Sequence, residues 1–192
     1  KGVPNTSFTE ALAFVFQKRD LELLGIKNNN PDGIHYQTLD IFWGTYEIMG
    51  VSLVDMQVWK WLYEHPDATA VQLKEEVIKI AKQDWNDYYA EVFGIKDQPI
   101  LAVYSHMIDN PLYLSAYPIG HIIEFQLEQH FTKVKAAQKN TYSNAWFADE
   151  IQRIFSYGRR TPDAWMQHAV GQNLSIDPML SASTVALQQL DK

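Results

Sequence analysis

Residues 36–64, YQTLDIFWGTYEIMGVSLVDMQVWKWLYE, carry apolar side chains at Leu39, Phe42, Trp43, Tyr46, Met49, Leu53, Val54, Met56, Val58, Trp61 and Leu62. They recur every three or four positions, the period of a helix face rather than of a strand. Gly44 and Gly50 weaken this helix without ending it. EHP ends it at Glu64, because the Pro66 ring disfavours helical backbone in the residue before it.

The same punctuation extends outward in both directions. KNNNPDG at 27–33 is a run of turn formers. Before it, Ser7 and Glu10 have capping-box spacing, which predicts a helix running to about Gly25. Downstream, Thr69 with Gln72 repeats the cap pattern and predicts a third helix reaching Phe93, ahead of Gly94. Residues 95–111, IKDQPILAVYSHMIDNP, have no helical period, and Ile100 to Ser105 suits a short strand or extended loop. Helical spacing returns from about Tyr113 to Ala137, and again from Asn144 to Tyr157, where Gly158 closes it. TPDAWMQHAVG (161–171) and DPMLSASTVALQQL (177–190) each begin with a cap followed by a first-turn proline. The expectation is an all-α fold of about seven helices in one domain, 1–192, with at most one short extended segment near 100–105.

Composition limits what such a domain can do. The chain has 192 residues, 46% hydrophobic and 20% charged, which suits one packed globular domain. Its 6 Trp, 10 Tyr and 9 Phe favour a packed core or a buried groove over disorder. A net charge of −7, with Arg159 and Arg160 as the one short basic cluster, argues against nucleic acid as a partner. With no cysteine, the chain has no disulfide, thiolate ligand or Cys nucleophile. No apolar run approaches the roughly 18 residues of a membrane span, and no signal peptide is visible. The opening KGVPNTSF resembles neither an initiation nor a targeting segment, so an upstream portion is expected.

The chemistry-bearing groups concentrate in AYPIGHIIEFQLEQHF, 116–131. On a helix His121, Glu124 and Glu128 fall at i, i+3 and i+7 and share a face. A carboxylate-bridged metal site needs two His-x-x-Glu pairs on facing helices, and this sequence holds one, so the two glutamates are expected on an exposed or groove-lining face. His35, His65, His130 and His168 fall at loops or helix ends, where surface positions are expected. No His-Glu-x-x-His, phosphate-binding Gly-rich loop or Gly-x-Ser-x-Gly elbow occurs.

Taken in order, however, five strings resemble the angiotensin-converting-enzyme-like helical zinc peptidases, which are related to peptidases of the thimet oligopeptidase type. KGVPNTSFTEA (1–11) resembles the segment that carries the family's third zinc ligand. SLVDMQVWKWLYE (52–64) and DWNDYYAEVFGI (84–95) resemble two of its helices. YSHMIDNPLYLSAYPIGHIIEFQLEQHF (104–131) resembles its substrate-binding strand and the helix after it, and YGRRTPDAWMQHAVGQNLSIDPML (157–180) its closing helices. The resemblance covers nearly the whole chain and corresponds to the C-terminal part of a peptidase domain, with the His-Glu-x-x-His helix lying upstream.

The resemblance implies roles for particular residues. Glu10 would be the third zinc ligand, although the sequence alone also allows it to cap the first helix. Tyr117 would donate its hydroxyl to the oxyanion of the tetrahedral intermediate. His106 would hydrogen-bond a substrate carbonyl, with one inserted residue between it and Tyr117. Tyr104 replaces the Lys with which dipeptide-releasing members hold the substrate's C-terminal carboxylate, and Tyr113 could supply one phenolic contact there. Ala116 replaces the Arg of chloride activation. Phe14 replaces an Asp that orients a zinc-binding His, and this departure points to weaker metal binding or activity. Implied overall are a peptide substrate, zinc in the full-length protein with none bound by this chain alone, a partner in the missing N-terminal portion, and a periplasmic or secreted setting. A non-catalytic peptide-binding relative and an unrelated helical interaction domain are the alternatives.

Overall fold

The computed structural model describes residues 5–19, 30–137 and 143–192. Among the described residues there are nine α-helices and no strand, so the fold is all-α. In chain order the helices are α1 (Thr6–Gln17), α2 (Gly33–Glu64), α3 (Ala70–Tyr88), α4 (Ala90–Phe93), α5 (His106–Asp109), α6 (Ala116–Ala137), α7 (Asn144–Phe155), α8 (Pro162–Val170) and α9 (Asp177–Leu190). They form two compact units, a terminal unit of Lys1–Trp43 with Ile119–Lys192 and a central unit of Gly44–Pro118.

In the terminal unit, α1 begins two residues earlier than its capping-box spacing suggests. Asn5 is the N-cap, its side-chain oxygen accepting from the Ser7 amide at 3.0 Å, while Ser7 itself is buried. This register places Phe8, Ala11 and Val15, at i, i+3 and i+7, on one buried face. They join Ile123, Leu127 and Phe131 of α6, Ile154 of α7, and Trp165, Met166 and Ala169 of α8 in one core. Phe8 stacks on Trp165 with ring centroids 4.3 Å apart, and both are wholly buried, which stabilises the fold by about 1.5–3 kcal/mol per side chain. α1 ends at Gln17, and the end expected near Gly25 lies outside the described residues.

α1 crosses α6 where Gly120 leaves room. A Cβ there would lie 2.9 Å from the Glu10 Cβ and 3.2 Å from the Ala11 backbone nitrogen, so a larger residue would push the helix away. At α8 the expected Thr161 stands at the N-cap position, whereas α9 has Ile176 there and the expected cap Asp177 is already helical. Pro162 occupies the first turn of α8, and Gly171 ends it in the left-handed conformation that lacks a penalty only without a Cβ. The 173–175 loop after it is held by buried Gln126, whose amide nitrogen donates to the Asn173 carbonyl at 2.8 Å while its oxygen accepts from the Ser175 amide at 3.0 Å. Arg153 of α7 donates to the Ala169 carbonyl at 2.7 Å, satisfying one of the exposed carbonyls at the end of α8.

In the central unit, Val51, Val54 and Val58 of α2 pack with Ile80, Ala81 and Trp85 of α3. α3 starts with the expected capping box, Gln72 accepting from the Thr69 amide at 2.9 Å. It breaks at Tyr89 instead of continuing to Phe93. The Tyr89 side chain explains the break. It is buried, and its hydroxyl donates to the Tyr46 carbonyl at 2.5 Å, a tertiary contact that burial accompanies by pushing the phenol up to about 12. Residues 100–105 form no strand. Ile100–Ala102 is a single 3-10 turn after Pro99, and α5 follows, ending in turns that lead to α6.

Candidate functional site

Three of the residues singled out by the resemblance come from one short segment of the central unit. Met107 and Leu114 anchor that segment in the core, the first at 6% and the second at 0% exposure. Between them the chain turns twice, the Tyr113 amide donating to the Asn110 carbonyl at 3.1 Å and the Ala116 amide to the Tyr113 carbonyl at 2.8 Å. The turns return Tyr113 and Tyr117 toward His106. The His106 ring centroid lies 6.2 Å from that of Tyr113 and 6.5 Å from that of Tyr117, and the two phenol rings meet edge to face at 5.4 Å. Tyr104 joins from the other side of α5, 5.4 Å from His106 and largely exposed. The structure therefore gathers Tyr104, His106, Tyr113 and Tyr117 into one cluster.

An imidazole among three phenols is a set of hydrogen-bond donors suited to a carbonyl, a carboxylate or a developing oxyanion. His106 is part-exposed, at 32% of its side chain, yet its Nδ1 is buried with no hydrogen-bond partner. The nearest acid, Asp109, has its Oδ1 4.0 Å away, beyond hydrogen-bond range. The exposed part of the ring therefore lies away from Nδ1.

Behind the cluster, α2 supplies two residues that the sequence reading did not single out. Trp59 donates its indole N–H to the Met107 carbonyl at 3.0 Å, tying α5 to α2. One helical turn earlier, Asp55 is 1% exposed and neither carboxylate oxygen completes a hydrogen bond. Burial pushes its carboxyl above the usual Asp range, and the Leu112 backbone amide offsets this in part. A signal for Asp55 was present, since it sits among Val51, Val54 and Val58 on the buried face of a helix.

Glu10 belongs to the terminal unit, half-buried on α1 against the Gly120 notch. The helix cap comes from Asn5, which leaves the Ser7-to-Glu10 box unused. Zinc in a peptidase takes three protein ligands, and Glu10 offers one carboxylate. Among the described residues no group of three or more His, Asp or Glu is placed to hold a metal ion.

The charges of 116–131 have other work. Glu124 is fully buried rather than solvated, with His121 Nδ1 at 3.0 Å and the Lys18 ammonium at 3.9 Å. Glu128 takes both guanidinium nitrogens of Arg19, the Nη2 bond at 2.7 Å. Phe14 stacks on His121 with centroids 3.7 Å apart. His130 contacts Glu150 at 2.7 Å, and Glu150 also receives Arg153, which holds its carboxyl below the usual range. These groups fasten α1, α6 and α7 together. Lys18 and Arg19 lie far away in sequence, so the helical spacing alone placed the two glutamates on a solvated face.

Compared with known protein families, curated proteins and solved structures, the chain matches none.

Proposed function

We propose that this chain is the C-terminal part of a zinc-dependent metallopeptidase that hydrolyses oligopeptides. The observation that carries the reading is the convergence of His106, Tyr113 and Tyr117, three residues the family resemblance selects, within 6.5 Å of one another by ring centroid.

In this reading Tyr117 and His106 donate hydrogen bonds to the scissile carbonyl as it gains negative charge, binding the transition state more tightly than the ground state. Tyr113 and Tyr104 contact the flanking peptide. Glu10 contributes one carboxylate to a zinc site whose imidazoles come from outside these 192 residues.

The second reading is a peptide-binding relative that has lost catalysis. Phe14 favours it, because the position that orients a zinc ligand in the family holds an aromatic ring stacked on His121 here. An internally quenched peptide incubated with the intact protein and zinc separates the two. Hydrolysis that drops about 100-fold in kcat/KM on Tyr117→Phe, with KM little changed, is the expected result. Saturable peptide binding without turnover selects the second reading. Neither turnover nor binding would end both.

A further inference from the structure

The terminal unit holds a cleft that has no part in the peptidase reading. It lies between the end of α1 and facing stretches of α6 and α7, with a volume of about 600 Å³, within the range of small-molecule sites. Three phenylalanines make its apolar part. Phe131, 2% exposed, meets Phe147 edge to face at 5.2 Å, and Phe16, 39% exposed, meets Phe147 in the same way at 6.1 Å. The Arg19 guanidinium lies over the Phe147 ring at 4.9 Å, held by both oxygens of Glu128. A bidentate ion pair seated on an aromatic face makes a well-ordered wall. Arg19 and Glu128 cancel in charge. Lys135, two turns beyond Glu128 on α6, also lines the cleft and leaves its lining net positive, on a chain whose net charge is −7.

We propose that this cleft binds a small aromatic monoanion, its rings against Phe16 and Phe147 and its carboxylate toward Lys135. Ring contacts with phenylalanines reward an aromatic ligand beyond the area it buries. The ammonium then selects the sign of its charge, because a cation would meet Lys135 and Arg19 together. Every wall of the cleft belongs to the terminal unit, so the inference is independent of the candidate site in the central unit.

The test titrates the intact protein with 2-naphthylacetate and with its neutral analogue 2-naphthylacetamide, followed by calorimetry and methyl NMR. The expected result is saturable one-to-one binding of the carboxylate, with shifts at the Ala148 and Ile151 methyls that line the cleft. The amide should bind about 10-fold more weakly, and Lys135→Gln should bring the two affinities within about twofold of each other. Ala148→Phe, which sets a ring in the cleft, should abolish binding of both with Tm unchanged. If that variant does not fold, Lys135→Gln and the methyl shifts decide alone. No saturable binding of the carboxylate, shifts confined to methyls outside the cleft, or equal affinity for acid and amide would overturn the proposal. Turnover of a quenched peptide, measured separately, decides the peptidase reading and leaves this one untouched.

Discussion

In the terminal unit Glu128 closes on Arg19, Glu150 on Arg153 and His130, and Glu124 lies between His121 and Lys18. In the central unit Asp84, 3% exposed, has the neutral amide of Gln57, 2.9 Å from each of its oxygens, and Asp55 has no completed bond at all. Glu150 and the two central aspartates respond in opposite directions. Arg153, then His130, holds Glu150 low, whereas desolvation pushes Asp55 and Asp84 up. A carboxylate beside a cation keeps its charge at little cost, and one beside carbon does not. The terminal unit thus uses charge to fasten helices. The central unit instead buries its two aspartates without a cation.

The largest effect on this contrast should come from Glu128→Ala. It removes the carboxylate that both Nη atoms of the Arg19 guanidinium contact, a group 16% exposed and lying over the Phe131 and Phe147 rings. A loss of about 3 kcal/mol in urea unfolding is expected. A loss below roughly 0.5 kcal/mol, the level of a solvent-exposed pair, would break the comparison.

Gly120→Ala should come next, at about 2 kcal/mol, because the added methyl meets the Ala11 backbone as well as movable side-chain atoms. Its effect should be confined to the terminal unit, with faster amide exchange in α1 and α6 and none in α3. Equal loosening of α3 would show that the two units do not respond separately.

The smallest effect is a divergence with pH. Asp55 and Asp84 have folded pKa values above the usual 3.8, so the folded state binds more protons than the unfolded state between 3.8 and those values. Their penalty is full above that window and fades as the pH falls through it. Glu150 is lowered from 4.5, so its contribution is present above 4.5 and is lost as the pH falls through its folded value. Protection factors corrected for intrinsic exchange should therefore rise in the central unit relative to the terminal unit on mild acidification. The opposite order would reverse the assignment of paired and unpaired charge.

Local signals in the sequence carried much of the architecture. The period of 36–64, the Thr69–Gln72 box and the Pro162-to-Gly171 pattern all correspond to observed helices, since each depends on residues within a turn or two of one another. Failures came where a distant partner decides. Tyr89 breaks α3 through a bond to the Tyr46 carbonyl, and no glycine or proline announces it. Glu124 is buried with the distant Lys18 as well as its helical neighbour His121, and periodicity reveals only the second. At the N-terminus Asn5 and Ser7 are both good caps, and the demand for a Phe8, Ala11 and Val15 face selects Asn5. For the candidate site, the residues His106, Tyr113 and Tyr117 were marked only by family resemblance, because their clustering depends on the turns between Asn110 and Ala116. Asp55 was legible in principle as an acid on a buried stripe.

The Gln126 amide has a consequence for the ageing of the molecule. Its nitrogen and oxygen face a carbonyl and an amide respectively, so the side chain fits in one orientation only. Hydrolytic deamidation would alter almost nothing in its shape, yet it would set an oxygen against the Asn173 carbonyl and place a new carboxylate at a position 2% exposed. A chemical change of one atom at Gln126 would therefore loosen the 173–175 loop at the junction of α8 and α9.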